Sequence, residues 1–261
     1  MEILGYLASV LIGISLGLIG GGGSILTVPI LVYLFGIGAE HATSYSLFIV
    51  GITAMTGAYR HYKLGNLEIK SGLAFGLPSV LSLLLVRKLL LPALPDVIGQ
   101  IGSTTITKNL LIMVVFALLM LAASIAMIQP SAEPIKTQKP QRNKLALIGL
   151  FIGFITGFLG AGGGFLIIPA LLFFAGIPMK QAIGTSLLII SINSAIGFAG
   201  DALGGAPIDY TLLLTISAIA IVGMLIGTQL SKKINGAQLK PAFGWFVLLM
   251  GVYILVKELS S

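Results

Sequence analysis

Gly17–Leu31 reads GLIGGGGSILTVPIL, and 140 positions later Gly157–Leu171 reads GFLGAGGGFLIIPAL. Extended without a gap over 17–57 and 157–197, the comparison holds fifteen identities in 41 positions, among them Gly20, Gly22, Gly23, Pro29, Gly36, Ser46 and Gly57. The chain is therefore two copies of one unit. The copies span 1–128 and 145–261, and the polar stretch 129–144 (QPSAEPIKTQKPQRNK) joins them as an exposed linker. Farther along the match is looser: Leu84–Lys88 (LLVRK) corresponds to Gln229–Lys233 (QLSKK), after which the first copy carries an extra stretch to about Thr107.

The solvent of this unit follows from composition. Of 261 residues 57% are hydrophobic and 9% charged, and the mean hydropathy is +1.08, beyond what a water-covered surface carries. A bilayer core about 30 Å thick takes about 20 apolar helical residues per crossing. Apolar runs cover 3–36, 43–58, 71–91, 109–128, 145–176, 183–199, 211–230 and 241–256. The net charge of +7 belongs to loops that orient a membrane protein rather than to nucleic-acid binding. The first run starts at Ile3 with no basic segment ahead of it, so it reads as part of the fold and not as a removable signal. Without cysteine there is no disulfide or thiolate chemistry. His41 and His61 read as loop residues with no partner at ligand spacing, which predicts no metal and no cofactor.

The run 3–36 is too long for one straight crossing, since 34 residues of helix reach about 51 Å. It has to break, and Gly20–Ser24 and its echo Gly160–Gly164 are where the backbone angles that only glycine accepts freely are available. Each side of the break then holds a helix of about 13 to 16 residues. Loop charge chooses between a broken crossing and a hairpin that returns to its own side. With hairpins, eleven Lys and Arg fall on one face and four on the other; with crossings the division is eight to seven. The positive-inside rule selects hairpins. The fold expected is all-α and polytopic, with two inverted repeats, each a glycine-broken hairpin plus three transmembrane helices. Both termini lie outside and the linker lies in the cytoplasm. Arg87 and Lys88 fall on the sparse face, where this topology gives them no role.

Unwound backbone within a bilayer is tolerated where it is buried in protein or lines a cavity. A helix that starts there offers free N–H groups and the positive end of its dipole, an anion site needing no charged side chain. Matched glycine breaks in two halves point to a transport site near the midplane. The residues expected to bind substrate are Gly21, Gly22, Gly23 and Ser24, Gly162, Gly163 and Gly164, and the hydroxyl and amide pairs Ser46 with Thr53 and Ser186 with Asn193. Each of these pairs is seven apart on one helix face. Thr53 and Asn193 sit about 15 Å along helices that start near Thr43 and Ile183, level with the tips. Asp201, Asp209 and Glu40 read as solvated residues of outer loops, and no ionisable group is expected at depth.

On the two glycine motifs, each followed by A-x-x-x-S-L (Ala42–Leu47 and Ala182–Leu187), the sequence resembles the TauE/SafE sulfite exporter family over essentially its whole length. The resemblance implies a bacterial or archaeal inner-membrane protein that moves sulfite, sulfoacetate or other organosulfonates, generally outward. The partners expected are a small anion and the lipid bilayer, with no nucleic acid. An anion channel, a membrane subunit of a multisubunit importer and an intramembrane hydrolase are the alternatives. Against the hydrolase, no Ser, His and acid constellation stands at depth.

Overall fold

The computed structural model describes residues 2–21, 23–101, 104–129, 142–160, 163–204, 208–231 and 236–260. The first half contains α1 (Glu2–Ile19), α2 (Gly23–Tyr33), α3 (Ala39–Lys63) and α4 (Ile69–Leu85), which runs on through a π turn (Val86–Leu90) into α5 (Leu91–Ala93). An antiparallel ribbon, β1 (Val97–Ile101) and β2 (Thr104–Thr107), leads into α6 (Lys108–Ile128). The second half holds α7 (Arg142–Leu159), α8 (Gly164–Ala170) with a π turn (Leu171–Ala175), α9 (Met179–Leu203), α10 (Tyr210–Leu230) and α11 (Gly236–Ser260). The extra stretch of the first copy is thus this β ribbon, a departure from an all-α fold. Arg142–Lys144, expected in the linker, belong to α7; residues 130–141 lie outside the described residues.

Both long runs break at their glycines. Gly20 and Gly160, equivalent in the repeat, have φ of +77° and +64°, angles at which a β-carbon collides with its own backbone. The pieces are less even than expected. Eighteen residues precede each break, whereas α2 has 11 and α8 has 7 before its π turn. Pro29 and Pro169 lie inside the shorter pieces. Elsewhere the polar residues at helix starts are caps. The carboxylate of Glu68 accepts from the Ser71 amide at 2.5 Å, Asp209 accepts from Leu212 at 3.0 Å, and the Thr107 hydroxyl accepts from Leu110 at 3.2 Å.

Among the described residues, four helical segments are long and apolar enough to cross a membrane: Ile69–Ala93, Lys108–Ile125, Met179–Leu203 and Tyr210–Leu230. Their lipid-side character is visible in exposure. Leu73, Leu77, Leu81 and Leu85, spaced by four on α4, are each at least half exposed, while Ser79 on the opposite face is fully buried. Ser24, Thr27, Ser46, Thr53, Ser186 and Asn193 are likewise fully buried. Leucines outside and hydroxyls inside reverse the arrangement of a water-soluble protein, and lipid is the solvent that accepts it.

Small residues set the helix pairs. α1 lies parallel to α10, with Gly13 against the Ala220 carbonyl, Gly17 against that of Met224, Gly223 against Val10 and Gly227 against Ile14. α7 lies parallel to α4, with Gly149, Gly153 and Gly157 on the backbones of Phe75, Ser79 and Leu83. α6 packs with α11. α3 and α9 run antiparallel, Leu47 meeting Gly197, Gly51 meeting Ser194 and Gly57 meeting Leu187. Exchanging the halves turns the α1 with α10 pair into the α7 with α4 pair and maps the other two pairs onto themselves.

At Gly153 an added β-carbon would sit 2.2 Å from the Ser79 carbonyl oxygen, whereas at Gly76 its nearest neighbour is a side-chain atom 3.7 Å away. Gly153→Ala should therefore cost about 1–3 kcal/mol in overpacking, and Gly76→Ala should be neutral. Thermal unfolding of the two purified variants in detergent checks this; equal melting temperatures would contradict the close α4–α7 contact.

Candidate functional site

The two breaks meet. A β-carbon built on Gly21 would fall 2.3 Å from the backbone carbon of Gly164, and one built on Gly164 would fall 2.6 Å from the Gly21 Cα and 2.5 Å from the Ile190 side chain. Only residues without a side chain bring two chain segments this close. Ile190 stands in the middle of α9. Gly20 and Gly160 pack one turn into α9 and α3, on Ile183 and on the Thr43 carbonyl. Gly164 meets Ile190, three residues before Asn193, whereas Gly20 and Gly160 pack ten residues before Asn193 and Thr53 and so do not stand level with them. The two described cavities lie elsewhere: an open depression of about 630 Å³ at Phe35, His41, Tyr45 and Asp209, and a groove of about 380 Å³ at Pro29, Tyr33 and Tyr253.

The other expected site residues divide into those at the tips and those drawn away. Gly22 and Gly162 lie outside the described residues. Gly23 packs on the Ile12 carbonyl, and Gly163, with φ of +63°, caps α8 against the Thr156 hydroxyl. The Ser24 hydroxyl donates to the Gly21 carbonyl at 2.8 Å. Ser186 lies between the carbonyls of Gly20 (3.0 Å) and Ile183 (2.8 Å), tying α9 to the first tip. Its repeat equivalent Ser46 is fully buried with its hydroxyl unpartnered among the described residues. Thr53 spends its hydroxyl on the Ile49 carbonyl at 2.7 Å, a bond within its own helix. Asn193 turns toward α4: its amide donates to the Ser79 hydroxyl at 2.7 Å, and its buried Oδ1 has no partner among the described residues.

Charged residues near the helix ends also form pairs. Arg87, in the π turn, is buried, and its guanidinium pairs with Asp201 of α9 through Nη1 and donates to the Thr43 hydroxyl from Nη2 at 3.1 Å. Asp201 is therefore a partly buried ion-pair partner on α9 and not a solvated loop residue. Beside it Lys108 binds Glu40 at 2.6 Å, and the Glu40 amide donates to the Asn109 side chain at 3.2 Å, so α6 clamps the start of α3. His41 and His61 occupy the first and last turns of α3 instead of loops, and His61 is buried. No spacing in the sequence marks Arg87 with Asp201, because 114 residues separate them. The available signal was a basic pair within an apolar run, on the face that loop charges left sparse.

An apolar exterior, hydroxyls and an ion pair within, and two broken helices joined at the tips define a multi-pass membrane transporter. Known proteins agree. A family model described as Sulfite exporter TauE/SafE matches residues 5–254. A protein of Xylella fastidiosa (strain 9a5c) is 30% identical, the alignment covering 96% of this chain and 94% of its own. One of Methanocaldococcus jannaschii is 27% identical, covering 94% and 92%, and one of Bacillus subtilis (strain 168) 25%, covering 94% and 96%. Each is named a probable membrane transporter protein. The chain belongs to the TauE/SafE sulfite exporter family.

Asn193 and Ser79 bridge α9 and α4 within the apolar interior. A double-mutant cycle with Asn193→Ala and Ser79→Ala should give a coupling of about 0.5–2 kcal/mol in unfolding free energy. Additive effects would show that the bond is not made in the folded protein.

Proposed function

We propose that this transporter moves small sulfur-containing anions, sulfite or organosulfonates such as sulfoacetate, outward across a cell inner membrane. The substrate binds where the starts of α2 and α8 meet. The contact of Gly21 with Gly164 carries this reading: it brings two helix N-termini, each with the positive end of a dipole, to one point deep in apolar surroundings. Ser24 and Ser186 add buried hydroxyls at the tips, and Ser46, the repeat equivalent of Ser186, is buried with a donor to spare among the described residues. A sulfonate headgroup presents three oxygens to such donors, and a site with no fixed cation of its own at the tips releases its cargo readily. The description of the matched family supports sulfite and export.

The reading includes an inverted repeat with both termini outside and the linker in the cytoplasm. Its support is directional: equivalent helices α3 and α9 run antiparallel, which a half-turn about an axis in the membrane plane produces. The residues 22 and 162 and the deeper pair Thr53 and Asn193 complete the proposed site, reached when the tips part.

Reconstituted in liposomes, the protein should show saturable flux of sulfite or sulfoacetate that exceeds chloride flux; flux linear in concentration would instead mark a channel. Ser46→Ala should lower kcat/KM about 2- to 10-fold, and Gly21→Val should abolish flux, with the melting temperature of Ser46→Ala unchanged. Full activity in both variants would remove the site from the tips. Since the chain has no cysteine, single thiols report topology cleanly. In intact cells Lys257→Cys should react with an impermeant maleimide and Ser131→Cys should not; labelling of both would overturn the orientation.

A further inference from the structure

Arg87 is the one buried guanidinium beside a hairpin tip among the described residues, and it is incompletely used. Its side chain is 4% exposed. Nη1 engages Asp201, Nη2 engages Thr43, and Nε has no partner among the described residues. Thr43 links this group to the second break: its hydroxyl donates to the Glu40 carbonyl at 2.7 Å and accepts from Arg87, while its own carbonyl is the atom on which Gly160 packs. The guanidinium is therefore separated from the second tip by one residue. As a purely structural element it is an expensive choice, because a buried ion pair seldom stabilises more than apolar residues of the same volume. It also sits in a π turn, an insertion concentrated at functional positions.

A carboxylate and a sulfonate are interchangeable to a guanidinium, since each offers a pair of oxygens to its planar fork of N–H donors. We infer that Arg87 is an anion-binding residue of the transport path and that Asp201 is the built-in anion holding it until substrate arrives. Substrate leaving the tips on the Thr43 side takes the guanidinium from Asp201, and its departure restores the pair. The device is one-sided. The repeat sets His61 opposite Asp201 and Ile183 opposite Thr43, so neither that carboxylate nor that hydroxyl recurs at the equivalent position, and the two ways out of the site differ there. This inference rests on the proposed anion transport and adds the residues that bind outside the glycine tips.

The test uses the full-length protein in liposomes with sulfite and with sulfoacetate, reading flux beside thermal unfolding in detergent. Asp201→Asn, which removes the competing charge and keeps the shape, should lower KM about tenfold. Arg87→Lys, which keeps the charge and loses the fork, should fold and raise KM about tenfold. The double variant Arg87→Gln/Asp201→Asn leaves no unpaired buried charge, so it should melt near the wild type yet lose flux about 10- to 100-fold. Flux in the double variant within twofold of wild type would reduce the pair to a structural strut and overturn the inference alone. Absence of sulfite and sulfoacetate flux in the wild type would sink the transport reading and this inference together.

Discussion

Everything in this molecule depends on a rule of the bilayer: a backbone amide or carbonyl released from a helix must find protein to cover it, since the lipid offers no hydrogen bonds. Two long apolar runs are broken, and the cost of each break is met by bringing the breaks together. Gly21 and Gly164 lie backbone to backbone, and the neighbouring carbonyls of Gly20 and Gly21 take hydroxyls from Ser186 and Ser24. The long helices α3 and α9 cross antiparallel beside the tips, and the parallel pairs of α1 with α10 and α7 with α4 flank them. The same requirement that makes the breaks expensive thus collects polar groups at one place.

Close helix contact is the second constraint. In lipid there is no hydrophobic effect to press helices together, so packing has to be tight to hold. Gly13 and Gly17 on α1, Gly223 and Gly227 on α10, and the series Gly149, Gly153, Gly157 on α7 let backbones touch. These pairs hold α1 and α7, the helices ahead of the two glycine breaks, against a full-length helix of the other half.

The repeat, the breaks and the bilayer were legible because each is a local property: identity at a fixed offset, glycines in series, and apolar length. The residue types around the tips were legible too, and Ser24 and Ser186 do serve them. Thr53 and Asn193 share helix faces with Ser46 and Ser186, as spacing requires, yet Thr53 bonds within its helix and Asn193 bonds Ser79. A helix face says which way a side chain points and not which neighbour waits there. Depth counted from a helix start failed for Gly20 and Gly160 for a related reason, since it ignores where the facing segment ends.

What the sequence alone determined is the class of solvent, the duplication and the places where the chain must break, for these follow from composition and from the backbone freedom of single residues. Only the tertiary structure decided that the breaks touch, that α3 and α9 cross antiparallel, and that a buried Arg87 pairs with Asp201 beside Thr43. Contacts between residues more than a hundred positions apart arise from packing, and packing depends on how whole helices fit against one another.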